Sequence, residues 1–163
     1  MIFSRNSYEY DEITNECLID PNLLDKQGID METYNCGGYA LNTKTWYHPY
    51  KTGKYEEFGD MFDLIDSYGK RKVLRMFVKY MLNDMPNLRL LKNISDLKQF
   101  ETLVLFRIGD TDFHFVREED GKYFHKMGWI PRIEEMDEDE VFGESWCDGK
   151  YDSDIVLFGL NEN

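Results

Sequence analysis

Three side chains in this sequence could carry covalent chemistry together: Cys36, His114 and His125. Asn35 precedes the cysteine, and Gly37-Gly38-Tyr39-Ala40-Leu41 follows it. Asparagine is a strong N-cap, so the spacing predicts Cys36 in the first turn of a helix. Free N–H groups and partial positive charge there favour a thiolate and can hold a developing oxyanion. Two glycines at a helix start cost roughly 1 kcal/mol each against alanine. Close approach of another backbone or of a substrate would justify them. Taken singly, Cys36 also reads as a small buried hydrophobe and Gly-Gly as a plain turn.

His114 lies in Thr111-Asp112-Phe113-His114-Phe115-Val116-Arg117, a stretch that reads as a strand. Period-two alternation puts Asp112, His114 and Val116 on one face, with Phe113, Phe115 and Arg117 on the other. Eleven residues on, Tyr123-Phe124-His125-Lys126 carries the second histidine. A two-residue Asp120-Gly121 loop makes the histidines diagonal neighbours on one face, roughly 7–8 Å apart along the backbone. A four-residue loop would set them directly opposite. A three-residue loop with a bulge would separate them onto opposite faces. Local hydrogen bonds alone could also satisfy both rings.

A cysteine opening a helix, then a histidine on a strand, then a polar residue on the next strand is the chain order of a papain-like thiol hydrolase. In that chemistry His114 takes the proton of Cys36, and His125 fixes the orientation of the His114 ring. Tyr34, Asn35 and Gly37 around the cysteine, and Trp46 and Tyr47 in the loop beyond, are expected to hold the oxyanion or line the substrate groove. The motifs Asn35-Cys36-Gly37-Gly38-Tyr39-Ala40-Leu41, Asp112-Phe113-His114-Phe115-Val116-Arg117 and His125-Lys126-Met127-Gly128 resemble small phage and bacterial proteins of the papain-like superfamily, related to the NlpC and CHAP amidases. These motifs cover seventeen of the 163 residues. The resemblance implies a Cys36–His114–His125 set, with histidine third as in the NlpC branch. It also implies an α+β fold in which the cysteine helix packs on an antiparallel sheet.

The elements that must position these residues follow from the rest of the pattern. Residues 1–33 read as polar and irregular, with one short strand and one short helix. Residues 43–59 read as loop. From Asp60, a fair N-cap, the apolar spacing becomes helical through Met61, Phe62 and Ile65, then Val73, Leu74, Phe77, Val78, Met81 and Leu82, with Gly69 kinking or splitting the run. Leu88–Leu91 reads as an edge strand and Leu103–Phe106 as a strand covered on both faces. Asp112–Arg117 and Lys122–Met127 extend a meander, residues 134–148 read as an acidic loop with a helical turn or two, and Ile155–Phe158 reads as the last strand. The expectation is a single α+β domain over residues 1–163.

Composition narrows the function classes. Nineteen basic against thirty-two acidic side chains give a formal charge of −13 over 163 residues. Such a surface repels phosphate, so neither nucleic acid nor an anionic membrane is an expected partner. Three cysteines, no apolar run long enough to span a bilayer and no signal-like N-terminus predict a reducing, cytoplasmic setting. Cys36, His114, His125 and a carboxylate lack the paired short spacings of zinc sites, and neither a metal nor another cofactor is expected. The expected partner is a peptide or protein substrate. The alternative is an acidic, phage-encoded binding protein on the same scaffold that inhibits a basic host defence or nucleic-acid-binding protein. The charge and the run Glu134–Glu140, with six acids in seven residues, point that way.

Overall fold

The computed structural model describes residues 8–11, 16–19, 21–49 and 61–162. The expected N-cap at Asp60 and residues 50–59 of the expected 43–59 loop lie outside the described residues. The architecture is α+β. The elements run β1 (Tyr8–Asp11), β2 (Glu16–Ile19), α1 (Cys36–Ala40), α2 (Met61–Tyr68), α3 (Lys70–Asp84), β3 (Leu88–Leu91), β4 (Glu101–Ile108), β5 (Phe113–Glu119), β6 (Lys122–Lys126), β7 (Ile133–Met136), α4 (Glu138–Val141) and β8 (Val156–Asn161). Two short 3-10 turns, at Pro21–Leu23 and Met31–Thr33, precede α1. The strand and helix expected before residue 33 are therefore a paired two-stranded ribbon and these turns.

A six-stranded antiparallel sheet in the order β3-β8-β4-β5-β6-β7 is the centre of the molecule. Strands β4 to β7 form the expected meander, and the C-terminal strand slots between β3 and β4. Alternation along β4 sorts the core. Val104, Phe106 and Ile108 face the helices with Phe113, Phe115, Phe158, Val73, Phe77 and Met81. Leu103 and Leu105 face the other way, with Val116, Tyr123, Val141, Trp146 and Tyr151. Both faces are thus covered, α1 to α3 on one and the segment from α4 through Tyr151 on the other, as the continuous apolar run in β4 requires.

Gly69 breaks the helical run into α2 and α3. Its φ of 83° lies in the left-handed region that favours glycine. The acidic stretch differs from expectation. Ile133–Met136 is extended and pairs with β6 as the edge of the sheet, and only Glu138–Val141 is helical. Pairing with a neighbour decides that segment where its own propensity does not, and acidic side chains on an edge strand deter further pairing.

Candidate functional site

The N-cap of α1 forms as its residues dictate. Asn35 Oδ1 accepts the N–H of Gly38 at 3.0 Å and also that of Tyr47 at 3.0 Å, while Nδ2 donates to the Tyr47 carbonyl at 2.6 Å. Asn35 therefore starts the helix and clasps the following loop to it. The glycines allow close packing. A Cβ on Gly38 would lie 1.9 Å from the Thr45 carbonyl oxygen, and one on Gly37 would lie 2.9 Å from Tyr47 Cδ2 and 3.2 Å from Phe115 Cε2. The close approach is to this protein's own loop and sheet.

Cys36 sits at the first helical position with 4% of its surface exposed. Its sulfur accepts the N–H groups of Phe115 and Gly37. The β5–β6 ladder runs only over Arg117–Glu119 and Lys122–Phe124, and Phe115 lies ahead of it. The sulfur thus lies against the main chain of β5, one residue along the chain from His114. Burial pushes the thiol up to about 12; the Asp112 carboxylate adds to this, while the backbone donors and the Lys126 ammonium oppose it.

The two histidines meet. Asp120 and Gly121, with φ of 53° and 79°, form the two-residue turn, and Arg117 stands opposite Phe124. This register makes His114 and His125 diagonal neighbours on one face, and His114 Nε2 lies 2.8 Å from His125 Nδ1. The face is that of Val116 and Tyr151, the side of the sheet away from α1. The His114 ring stacks on Tyr151 at 4.9 Å between centroids and 15° between planes, with Trp146 edge-on at 6.1 Å. Burial first, then the neighbouring His125 and Lys150, hold His114 well below the usual imidazole range. Burial lowers His125 too, against the pull of the Glu134 and Glu140 carboxylates. At rest the thiol is protonated and the imidazole pair neutral. The sulfur lies against the main chain of β5, while the His114 ring projects from the face of β5 turned away from α1, so the structure brings the two histidines together but not the thiol onto the ring.

The expected groove residues are placed less openly. Tyr34 has no exposed surface and donates to Asp25 Oδ2 at 2.8 Å, so it lines no groove. Tyr47 packs edge-on against Phe115 at 6.1 Å, while Trp46 is 36% exposed. A cleft of about 820 Å³ opens beside the other end of α1, bordered by Tyr39, Arg117, Glu119 and Ile133; Cys36 and the histidine pair are not in its wall.

Four further residues belong to the neighbourhood and were not expected there. Lys126 is wholly buried on the α1 side of β6, donates to the Gly128 carbonyl and lies over the Tyr34 ring at 5.3 Å. Burial brings its ammonium down to about 8. Strand alternation with Phe124 was the available signal, because it places Lys126 on an apolar face. Asp112 accepts from Tyr151 Oη at 3.4 Å. Tyr151 itself and Cys147 come from a loop, which no periodicity places. One ligand atom each from His114, His125 and Cys147 lie within 4.8 Å of one another, so among the described residues these are the ones placed to hold a metal ion. Compared with known proteins, the chain matches no family model, no curated protein and no solved structure.

Proposed function

We propose that the protein is a papain-like cysteine hydrolase that cleaves an amide or peptide bond. The observation that carries this reading is the 2.8 Å contact from His114 Nε2 to His125 Nδ1, with the Cys36 sulfur held on the N–H of the adjoining Phe115. With Nε2 engaged by His125, the nitrogen left for the thiol proton is Nδ1, and the reading requires the sulfur to reach it past the main chain of β5, where β5 and β6 are not yet paired. His114 takes that proton as the sulfur attacks the carbonyl carbon, and the tetrahedral oxyanion collapses with loss of the amine, which His114 protonates. Water, deprotonated by His114, then attacks the thioester, and the carboxylic acid leaves as the sulfur regains its proton. The neutral resting pair makes this a general-base mechanism, in which deprotonation accompanies attack. Lys126 stabilises the thiolate as it forms.

Alkylation by iodoacetamide tests the reading. An unassisted thiol near 12 carries on the order of one part in 10⁵ thiolate at pH 7 and is close to inert. Assisted by His114, Cys36 labels at least as fast as an ordinary cysteine, and His114→Gln slows it by an order of magnitude or more. If Cys36 stays unlabelled in the folded protein and labels only on denaturation, the hydrolase reading fails.

The burial of the same thiol favours a second reading, a binding protein that keeps the scaffold without catalysis. Its acidic exterior would engage a basic protein. Under this reading Cys36→Ser leaves a salt-sensitive complex with that partner unchanged, whereas a hydrolase is abolished by the same change.

A further inference from the structure

We infer that His114, His125 and Cys147 form a binding site for a soft transition-metal ion of the zinc class. One ligand atom from each residue falls within a sphere where every pair is no more than 4.8 Å apart. Zinc bonds of about 2.0 Å to nitrogen and 2.3 Å to sulfur place tetrahedral ligands roughly 3.3–3.6 Å apart. Small side-chain rotations are therefore enough to close the set, and no strand has to move.

The cysteine is held in place for this. Cys147 opens the Cys147–Lys150 turn, which the paired backbone bonds between Trp146 and Tyr151 close at its base at 2.9 and 3.3 Å. Its N–H donates to Glu140 Oε2 at 3.0 Å. That carboxylate stands beside the cysteine and its charge also acts on His125, so it balances the added positive charge. Met127 brings its thioether to 3.8 Å from the Cys147 sulfur. Two imidazoles and a thiolate, with a thioether beside them, form a soft set that selects zinc-class ions over magnesium or calcium.

The proton account is simple. The ion displaces the Cys147 thiol proton to solvent. The proton shared between the two imidazoles moves to the other nitrogen of the donating ring, so both rings bind as neutral ligands. Occupancy also takes His114 away from any base role. This last consequence rests on the hydrolase reading, whereas the site itself does not. Zinc would then act as a reversible inhibitor through a cysteine that is not the nucleophile.

The test is a Co²⁺ titration of the metal-free, full-length protein under a non-chelating reductant. The expected result is one equivalent bound with tetrahedral visible bands and a near-ultraviolet thiolate-to-cobalt band, displaced by Zn²⁺ and indifferent to excess Mg²⁺ or Ca²⁺. Cys147→Ser loses the thiolate band and weakens binding roughly ten- to a hundredfold, while Cys36→Ser keeps both. His125→Gln, checked for native circular dichroism, weakens binding without removing the thiolate band. A thiolate band that survives Cys147→Ser, one that vanishes in Cys36→Ser, or purely octahedral cobalt overturns the site. No substrate enters this readout, so its failure is separable from failure of the Cys36 alkylation test.

Discussion

His114 and His125 share a 2.8 Å hydrogen bond between Nε2 and Nδ1 at the end of the β5–β6 hairpin away from its turn, each with less than a tenth of its surface exposed. Removing one partner strands the other. His125→Ala leaves a buried ring nitrogen of His114 unpaired, which costs about 1–3 kcal/mol. His125→Asn restores an acceptor and a donor at similar reach. Urea denaturation should place the asparagine variant between wild type and alanine. Cys36 alkylation separates orientation from stability: it falls about tenfold in the alanine variant and by less in the asparagine variant, measured where both remain folded.

Lys126 gives a different signature. Its ammonium is wholly buried and acts on the Cys36 sulfur, holding the thiol lower than burial alone would. Burying a charge is costly, and a methionine of similar length removes that cost along with the bond to the Gly128 carbonyl. Lys126→Met is therefore expected to unfold within about 1 kcal/mol of wild type, in either direction, or to be more stable. Its Cys36 alkylation at pH 7 should nevertheless slow severalfold. Equal slowing in Lys126→Arg would show that position at Lys126, and not charge, is what the thiol senses.

Asn35 should be among the most sensitive positions outside the apolar core. Its side chain makes three bonds, one to the helix and two to residue 47. Loss of the cap costs about 1 kcal/mol. The freed N–H and carbonyl of Tyr47 add to that, for a total of roughly 2–4 kcal/mol in Asn35→Ala. Asn35→Asp keeps both acceptor bonds and loses only the donation to the Tyr47 carbonyl, so it should retain at least half of the difference. Chemical denaturation of the pair measures this directly.

How far the sequence foretold this site depended on which force placed each residue. Cap chemistry at Asn35, the turn chemistry of Asp120-Gly121 and the alternation in β5 are local, and they carry the start of α1 and the diagonal histidines. The same alternation places Phe115 toward α1 and His114 away from it, so the sulfur meets the strand's main chain ahead of the point where β5 and β6 pair. No spacing rule reports where a ladder begins. Tyr151 and Cys147 reach His114 because Trp146, with its indole N–H on the Val141 carbonyl at 2.8 Å, anchors their loop over the second face of the sheet. That is a tertiary event without local signature. Residues 134–136 read as loop for a related reason: six acids in seven residues look solvated until β6 offers its edge.

The sheet contains its own acid-sensitive clasp. Arg89 on β3 and Glu101 on β4 are not on neighbouring strands, because β8 lies between them. They meet across it over Gly159, with Nε–Oε2 at 3.0 Å and Nη2–Oε1 at 2.7 Å. A Cβ on Gly159 would stand 2.7 Å from the Glu101 carboxyl carbon, so the bridge exists because that position has no side chain. The Arg89 hydrogen bonds, helped by the Lys98 N–H, bring the Glu101 carboxyl from its ordinary 4.5 to about 2. A carboxyl depressed on folding contributes stability above its unfolded pKa, and that contribution disappears as pH falls through the folded value. The denaturant midpoint of wild type should therefore drop between about pH 4.5 and pH 2. Asp25 and Asp152, also lowered, contribute to that fall in every variant. Glu101→Gln should be less stable at pH 7 and show a shallower acid slope, and Gly159→Ala should reproduce both changes by displacing the carboxylate. If Gly159→Ala keeps the full acid slope while losing stability, the glycine serves strand packing and the clasp does not depend on it.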